Sequence, residues 1–401
     1  MISQNYMRVR NLSNVLECIR VCENRCTKRF IQDETGLSWA SVSGAINALL
    51  QKGFIVEKTD ENVKKVGRPS MGYDINEAKN LFIGVDINIE NIQIVLIDLK
   101  CRVVYSENKM LTDYDKDTVL NTVREMIRGV LTMPSVEPGE VKGIGFAIMS
   151  VVDTEKGVAV FSQHIRNWRN VKIKKIFENE FKIPVLVEHD PTCLAIAEMN
   201  IGHGKSNKRV IYLRLALGIG MSMMINGKIY KGSNGTSGEF GHMCMAAEGP
   251  VCSCGKKGCI EAYSSISGIA ARYREDIKQS KGYRGISDRS VESDIAIINK
   301  LSKAAAAKDG QARKYFEDAA KMLGVGIGNL ISLLNPDVII MGGLLTGIIS
   351  ELYMDTVTET VNNTRWPFFG VSIVKSNIPD YGAAIGAAAL FIHHKVWEDV
   401  I

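Results

Sequence analysis

LFIGVDINIENIQIVLIDLKCRVVYSE, residues 81–107, is the stretch on which the fold turns. It holds three strand-like runs, LFIGVDI, NIQIVLIDL and RVVYSE, with only short turns between them. β-Branched and aromatic side chains of this kind suit a pleated, buried surface, so the segment predicts three consecutive strands. A helix over residues 117–131 and a further strand, VKGIGFAIM, follow. Later in the chain RVIYLRLA, GMSMMING and GKIYKG repeat the three-strand opening. Helices over 261–277, 291–308 and 311–334, a buried strand DVIIMGG and a glycine-alanine helix GAAIGAAALFIHH then close the chain. Two halves that open alike and continue into alternating helix and strand predict a duplicated α/β fold, with ligand bound in a cleft between its lobes.

Outward from that core, the bulk numbers set limits. A chain of 401 residues exceeds one ordinary core and predicts two or three domains. Its 46% hydrophobic and 23% charged residues are ordinary for a soluble protein, and a net charge of +5 permits an anionic partner without requiring one. MISQNYMRVRN, the first stretch, has no apolar core of a secretory signal. The longest apolar runs, around 323–334 and 338–349, are interrupted by Asn329, Asn335, Pro336 and paired glycines, short of the ~18–20 residues a membrane span needs. A cytoplasmic protein with no membrane partner is expected, and nine cysteines there favour metal ligation or core packing over disulfides.

Ahead of the strands, Leu12, Val15, Leu16, Ile19 and Cys22 recur at helical spacing over residues 8–23. Cys18, Cys22 and Cys26 fall four apart and read as small buried side chains or exposed bystanders, with a metal site the alternative. A short helix over 28–34, a glycine at Gly36 and LSWASVSGAINALLQKG come next. Ser38 is the expected N-cap, Leu37, Val42, Ile46, Leu49 and Leu50 the buried stripe, and Gly53 the stop. Two helices joined by a tight glycine turn form a helix-turn-helix pattern, and FIVEKTD and MGYDIN read as strands flanking a polar wing tip, residues 62–68. A recognition helix must enter the major groove without bulk. Trp39, Ala40, Ser41, Ser43, Gly44 and Asn47 occupy the outer face, with Asn47 suited to adenine and Ser41 to phosphate; an ordinary solvated helix face is the alternative. Lys64, Lys65 and Arg68 would attract phosphate, and Arg68 lies either in a minor groove or in a linker turn.

The other chemical signal is PVCSCGKKGCIEAY, residues 250–263, with three cysteines in eight positions. Cys252 and Cys254 are too close for an easy mutual disulfide, while Gly255 and Gly258 let the backbone fold back towards Cys259. A metal clip is the favoured reading and a disulfide or redox centre the alternative; three thiolates need a fourth ligand.

INGKIYKGSNGTSGEFGHM, CSCGKKGCIEAY, VEHDPTCLAIAE and LGVGIGNLISLLNPDVIIMGG together resemble the ROK family of repressors, open reading frames and kinases, over residues 80–401. With the segment in front, the chain resembles the repressor branch, whose members are sugar-responsive transcription factors. The resemblance implies an α/β protein: an N-terminal all-α winged helix-turn-helix domain (1–75), then a duplicated actin-like, ribonuclease H-like body of two lobes. The smaller lobe is 76–190 with the C-terminal helix 382–401, and the larger, 191–381, carries the zinc site and a dimerisation surface. The resemblance also makes His242 the fourth ligand, beside Cys252, Cys254 and Cys259, of a structural zinc. It places Glu239, His242 and Glu261 on sugar hydroxyls, and Asp190 at the general base of the kinases, where it also suits a helix N-cap before Pro191. His189 joins the sugar-binding set although the family has asparagine there; His164, Met149 and Ser150 are further departures. The phosphate loop of the kinases, D-x-G-G-T, is replaced by Asp86, Ile87, Asn88, Ile89 and Glu90, and LALGIGMSMMI keeps Gly218 and Gly220 but has Met221 and Ser222. A branched side chain and a carboxylate oppose phosphate there, so sugar binding without turnover is expected, in a protein that is not an enzyme. A homodimer or tetramer on operator DNA, released by a sugar or sugar derivative, completes the expectation. The alternatives are a sugar kinase with an appended DNA-binding domain and a ligand-independent DNA-binding regulator.

Overall fold

The structure, a computed structural model, describes residues 4–22, 26–58, 71–89, 91–111, 113–162, 164–233, 235–280, 293–348, 351–366 and 370–394. The N-terminal segment runs α1 (Gln4–Val21), β1 (Cys26–Thr27), α2 (Lys28–Thr35), α3 (Trp39–Gln51), β2 (Ile55–Lys58) and β3 (Gly72–Ile75). Thr27 caps α2 by accepting from the Phe30 amide, and Gly36 ends it at φ +67°. Ser38 caps α3 by accepting from the Ser41 amide, as expected. Val42, Ala45, Ile46 and Leu49 form the buried stripe of α3, against which α1 packs. Leu37 and Leu50, expected in that stripe, are only half-buried. The all-α description of this segment is corrected by a three-stranded antiparallel sheet of order β1-β3-β2. Its strand β1 escaped the sequence reading because two residues show no alternation. Cys18, Cys22 and Cys26 are all buried, as small apolar groups would be. The expected wing tip, with Lys64, Lys65 and Arg68, lies outside the described residues.

The first α/β half runs β4 (Leu81–Ile87), β5 (Asn91–Ile97), β6 (Val103–Met110), α4 (Lys116–Leu131), β7 (Val141–Ile148), β8 (Val151–Asp153), β9 (Val158–Phe161), β10 (Arg169–Val171), α5 (Ile173–Phe181), β11 (Val185–His189) and α6 (Asp190–Ile201). Strands β4, β5 and β6 form the predicted antiparallel meander, and β7 and β11 add in parallel on the other side of β4. The second half runs β12 (Arg209–Leu215), β13 (Ile219–Ile225), β14 (Lys228–Ile229), a 3-10 turn (Phe240–His242), α7 (Ile260–Ser264), α8 (Ile266–Ser280), α9 (Asp294–Ala306), α10 (Gly310–Leu334), β15 (Val338–Gly342), α11 (Leu344–Ile348), α12 (Glu351–Thr364), β16 (Ser372–Lys375) and α13 (Gly382–His393). Its sheet has the order β14-β13-β12-β15-β16, with β12, β13 and β14 antiparallel and β15 and β16 parallel. The two sheets are thus built alike: an opening meander, then two parallel strands beyond its first member.

The chain divides into two compact units, Met1–Asn200 with Ile378–Ile401, and Ile201–Asn377. Within the first, α13 lies across β4 and β7. A Cβ on Gly84 would collide with the carbonyl oxygen of Ala384, and one on Gly145 with that of Ala387. The bare strands and the glycine-alanine helix are therefore one packing solution, in which the backbones approach closely. In the second unit the core gathers Ile211, Leu213, Phe240, Ile260, Leu323 and Ile339. The helix expected over 261–277 is two, because Ser265 leaves helical geometry and its hydroxyl caps α8 through the Gly268 amide at 3.0 Å.

Candidate metal centre and its surroundings

In the second unit, Phe240 is buried and pins the 3-10 turn that presents His242. The cysteine loop folds back on itself: Cys252 N–H donates to Lys256 O at 2.8 Å, Gly258 N–H to Pro250 O at 2.9 Å, and Met245 N–H to Gly258 O at 2.7 Å. Gly258 has φ +72°, and a Cβ there would strike the Ala246 carbonyl, so only glycine permits the return. The result is one group, His242, Cys252, Cys254 and Cys259, whose ligand atoms all lie within 4.8 Å of one another. Cys252 Sγ is 3.6 Å from His242 Nδ1, and Cys254 Sγ is 3.7 Å from Cys259 Sγ. A tetrahedral ion with metal–sulfur bonds of ~2.3 Å and metal–nitrogen bonds of ~2.0–2.1 Å separates its ligands by roughly 3.8 and 3.6 Å, so the donor set fits a metal of that size. Burial pushes the Cys259 thiol up to about 12 and raises Cys252, whereas the Lys256 amide lowers Cys254. A cation bound here would have to displace the protons of the two buried thiols. Cys244 stands outside the group, its Sγ donating to Lys257 O at 3.8 Å.

Two carboxylates flank the cluster. Glu239 Oε2 is 3.9 Å from His242 Nε2, and the Glu239 side chain is 67% exposed. Glu261 opens α7 and has both oxygens engaged. Oε2 accepts from the Ile219 amide at 2.9 Å, and Oε1 accepts from Ser253 Oγ at 3.0 Å with Cys252 Sγ at 3.6 Å. A Cβ at Gly218 would crowd Oε2, so this glycine serves the carboxylate. Sequence reasoning gave neither part: Gly218 lies 43 residues before Glu261, and Ser253, although inside the cysteine motif, stands between two cysteines that drew the reading.

His189 and Asp190 belong to the first unit, at the junction of β11 and α6. The His189 amide donates to Glu188 Oε1 at 3.0 Å, and Asp190 is buried as the first residue of α6, with Pro191 next. The loop after β4 is closed by its own bonds: the Asn88 amide donates to Asn91 O at 3.0 Å and the Ile89 amide to Asn88 Oδ1 at 2.7 Å. An amide spent in this way is not turned out to cradle phosphate; Glu90 lies outside the described residues. On α3, Trp39, Ala40, Gly44 and Asn47 are exposed and Ser41 and Ser43 half-buried, with open space over Gly44.

The model of the ROK family matches residues 82–394. This chain belongs to the ROK family. It is 25% identical to the "Xylose repressor" of Caldicellulosiruptor bescii, over 395 residues covering 97% of each chain. Its fold is similar to the crystal structure of a ROK family transcriptional regulator, a homologue of the E. coli MLC protein, at TM-score 0.80 and 22% identity, covering 98% of this chain and 97% of that one. It is also similar to a ROK family glucokinase from Streptomyces griseus in complex with glucose and AMPPNP, at TM-score 0.62 and 24% identity, covering 77% of this chain and 98% of that one. Among the described residues, no helix of this ROK chain is long and apolar enough to cross a membrane.

Proposed function

We infer that this ROK protein is a sugar-responsive transcriptional repressor. The observation that carries the reading is likeness along the whole chain, head included, to a protein named for repression in response to a sugar. Residues 1–75 are proposed as a winged helix-turn-helix that binds operator DNA; the exposed outer face of α3, free of bulk at Gly44, supports this. The lobes 76–190 with 382–401, and 191–381, are proposed as an actin-like body that takes a sugar or sugar derivative. His189, Asp190, Glu239, His242 and Glu261 are its proposed contacts. The exposure of Glu239 beside His242 supports this, as does Glu261 Oε2, which accepts from the Ile219 amide alone and keeps a lone pair. The cluster of His242, Cys252, Cys254 and Cys259 is proposed to hold zinc, which supplies no chemistry beyond fixing this segment. The closed turn at Asn88 and Ile89 supports binding without phosphoryl transfer. In the cytoplasm a homodimer or tetramer would set two heads on a two-fold operator, and sugar would shift the population that fits it. A coupling of roughly 1–3 kcal/mol is enough to release DNA.

The test is a thermal-shift screen of hexoses, pentoses, amino sugars and their phosphates, with binding to duplexes selected from a random library. One sugar class should raise the melting temperature and weaken the selected duplex, and Glu239→Ala should lose the shift. No shift with any sugar, and no retained duplex, would overturn the reading. The likeness to a glucokinase, together with Asp190, supports a second reading as a kinase with an added head. ADP release on mixing with ATP and the sugar that binds would favour it.

A further inference from the structure

We propose that Arg20 is the positioning residue through which the ligand state of α6 reaches α3. The proposal rests on the repressor reading above and deepens it.

Helix α6 starts at Asp190, a proposed sugar contact, and runs for 12 residues without interruption. At ~1.5 Å per residue it is a rigid rod of about 18 Å, so a displacement at its first turn is carried to its last. The last turn presents Asn200, whose Oδ1 accepts from Arg20 Nη1 at 2.9 Å, while its Nδ2 is fixed on Ile196 O at 2.8 Å. Arg20 itself has little freedom. Nε and Nη2 are forked onto Glu17 at 2.8 and 2.7 Å, and the side chain is only 14% exposed. The guanidinium is therefore locked to its own helix on one side and to α6 on the other. Glu17 and Arg20 share α1 with Val15, Leu16 and Ile19, which are fully buried, and α1 packs on both α2 and α3. A pull on Arg20 moves the body that seats α3.

A second tether shows why that pull would have an effect. Lys100, in the turn between β5 and β6, pairs with Asp74 of β3 at 2.5 Å and donates to Cys22 O, just past α1, at 3.1 Å. This tether holds the head to the sheet edge and makes no use of α6. Movement of α6 relative to the sheet would thus displace α1 against β3, changing the posture of α3 while the head stays attached.

Three variants of the full chain separate the roles, with folding checked by melting temperature. For Asn200→Ala, the sugar-induced shift in melting temperature and the sugar-free operator affinity should stay within about twofold of the parent. The fold-change in operator affinity on adding sugar, about 5- to 150-fold for a coupling of ordinary size, should fall below about twofold. Asn200→Asp keeps an acceptor for Arg20 and should keep the response. Lys100→Ala should weaken the operator complex with and without sugar alike, leaving their ratio. A parent protein that responds to sugar together with an Asn200→Ala variant that responds equally overturns the relay alone. A parent whose DNA affinity ignores every sugar that binds it overturns the repressor reading and the relay with it.

Discussion

Asp74 shows how one residue ties the N-terminal segment to the rest of the first unit. Burial alone would raise its carboxyl, but Lys100, Lys58 and the Ile75 amide more than offset that and hold it at about 2. The folded pKa lies below the unfolded value near 3.9, so the stabilisation is present above pH ~4 and is lost as pH falls towards 2. Replacing Asp74 by Asn should cost roughly 2 kcal/mol at pH 7 in denaturant unfolding, and the difference should vanish on acidification through that window. Gly44 makes the opposite case. It sits mid-helix with open space where a Cβ would stand, so packing does not require it. Gly44→Ala should leave stability unchanged or raise it by up to ~1 kcal/mol, yet weaken duplex binding, a combination that only a surface role explains. At Gly258 the backbone itself demands glycine, and Gly258→Ala should lose the metal as measured by a zinc-sensitive dye.

At the scale of elements, the cysteine loop and α13 are held by different means. The loop around His242, Cys252, Cys254 and Cys259 has short backbone bonds but few apolar side chains of its own, so the zinc proposed there would act as its staple. Chelation should release about one zinc per chain and lower the melting temperature by more than ~5 °C, with restoration on adding zinc back. Helix α13 needs no such staple. Ala383, Ala384, Ala387, Ala388, Leu390 and Phe391 are buried, and the bare positions Gly84 and Gly145 let it sit directly on the sheet. Gly145→Val should prevent that docking and cost more than ~4 kcal/mol, seen as loss of soluble folded protein. Most element positions were legible beforehand, since strand runs and capping signals are local: β4, β5, β6, α3 and α10 fall where apolar periodicity put them. The small sheet β8-β9-β10 was not, because strands of three or four residues carry too little pattern to stand out from loop.

Across the whole molecule, the duplication is the governing fact: two sheets of the same order, each flanked by helices, one carrying α13 and the N-terminal segment and the other the cysteine loop. A ligand that binds only the folded state must stabilise it, by about 2.7 kcal/mol at a hundred times its dissociation constant, which is the signal the sugar screen reads. The sequence by itself determined the strand meanders, the capped helix pair and the likeness to the ROK family, and it was that likeness which joined His242 to Cys252, Cys254 and Cys259. Each of these depends on spacing within a short window or on a motif whose residues are neighbours in the chain. The tertiary structure alone decided that both oxygens of Glu261 are engaged by Ile219 and Ser253, that the Ile89 amide is taken by Asn88 Oδ1, and that Arg20 meets Asn200 across 180 positions of sequence. Such pairings arise from how packed elements happen to abut, and a polar side chain carries no mark of its distant partner until burial forces it to find one.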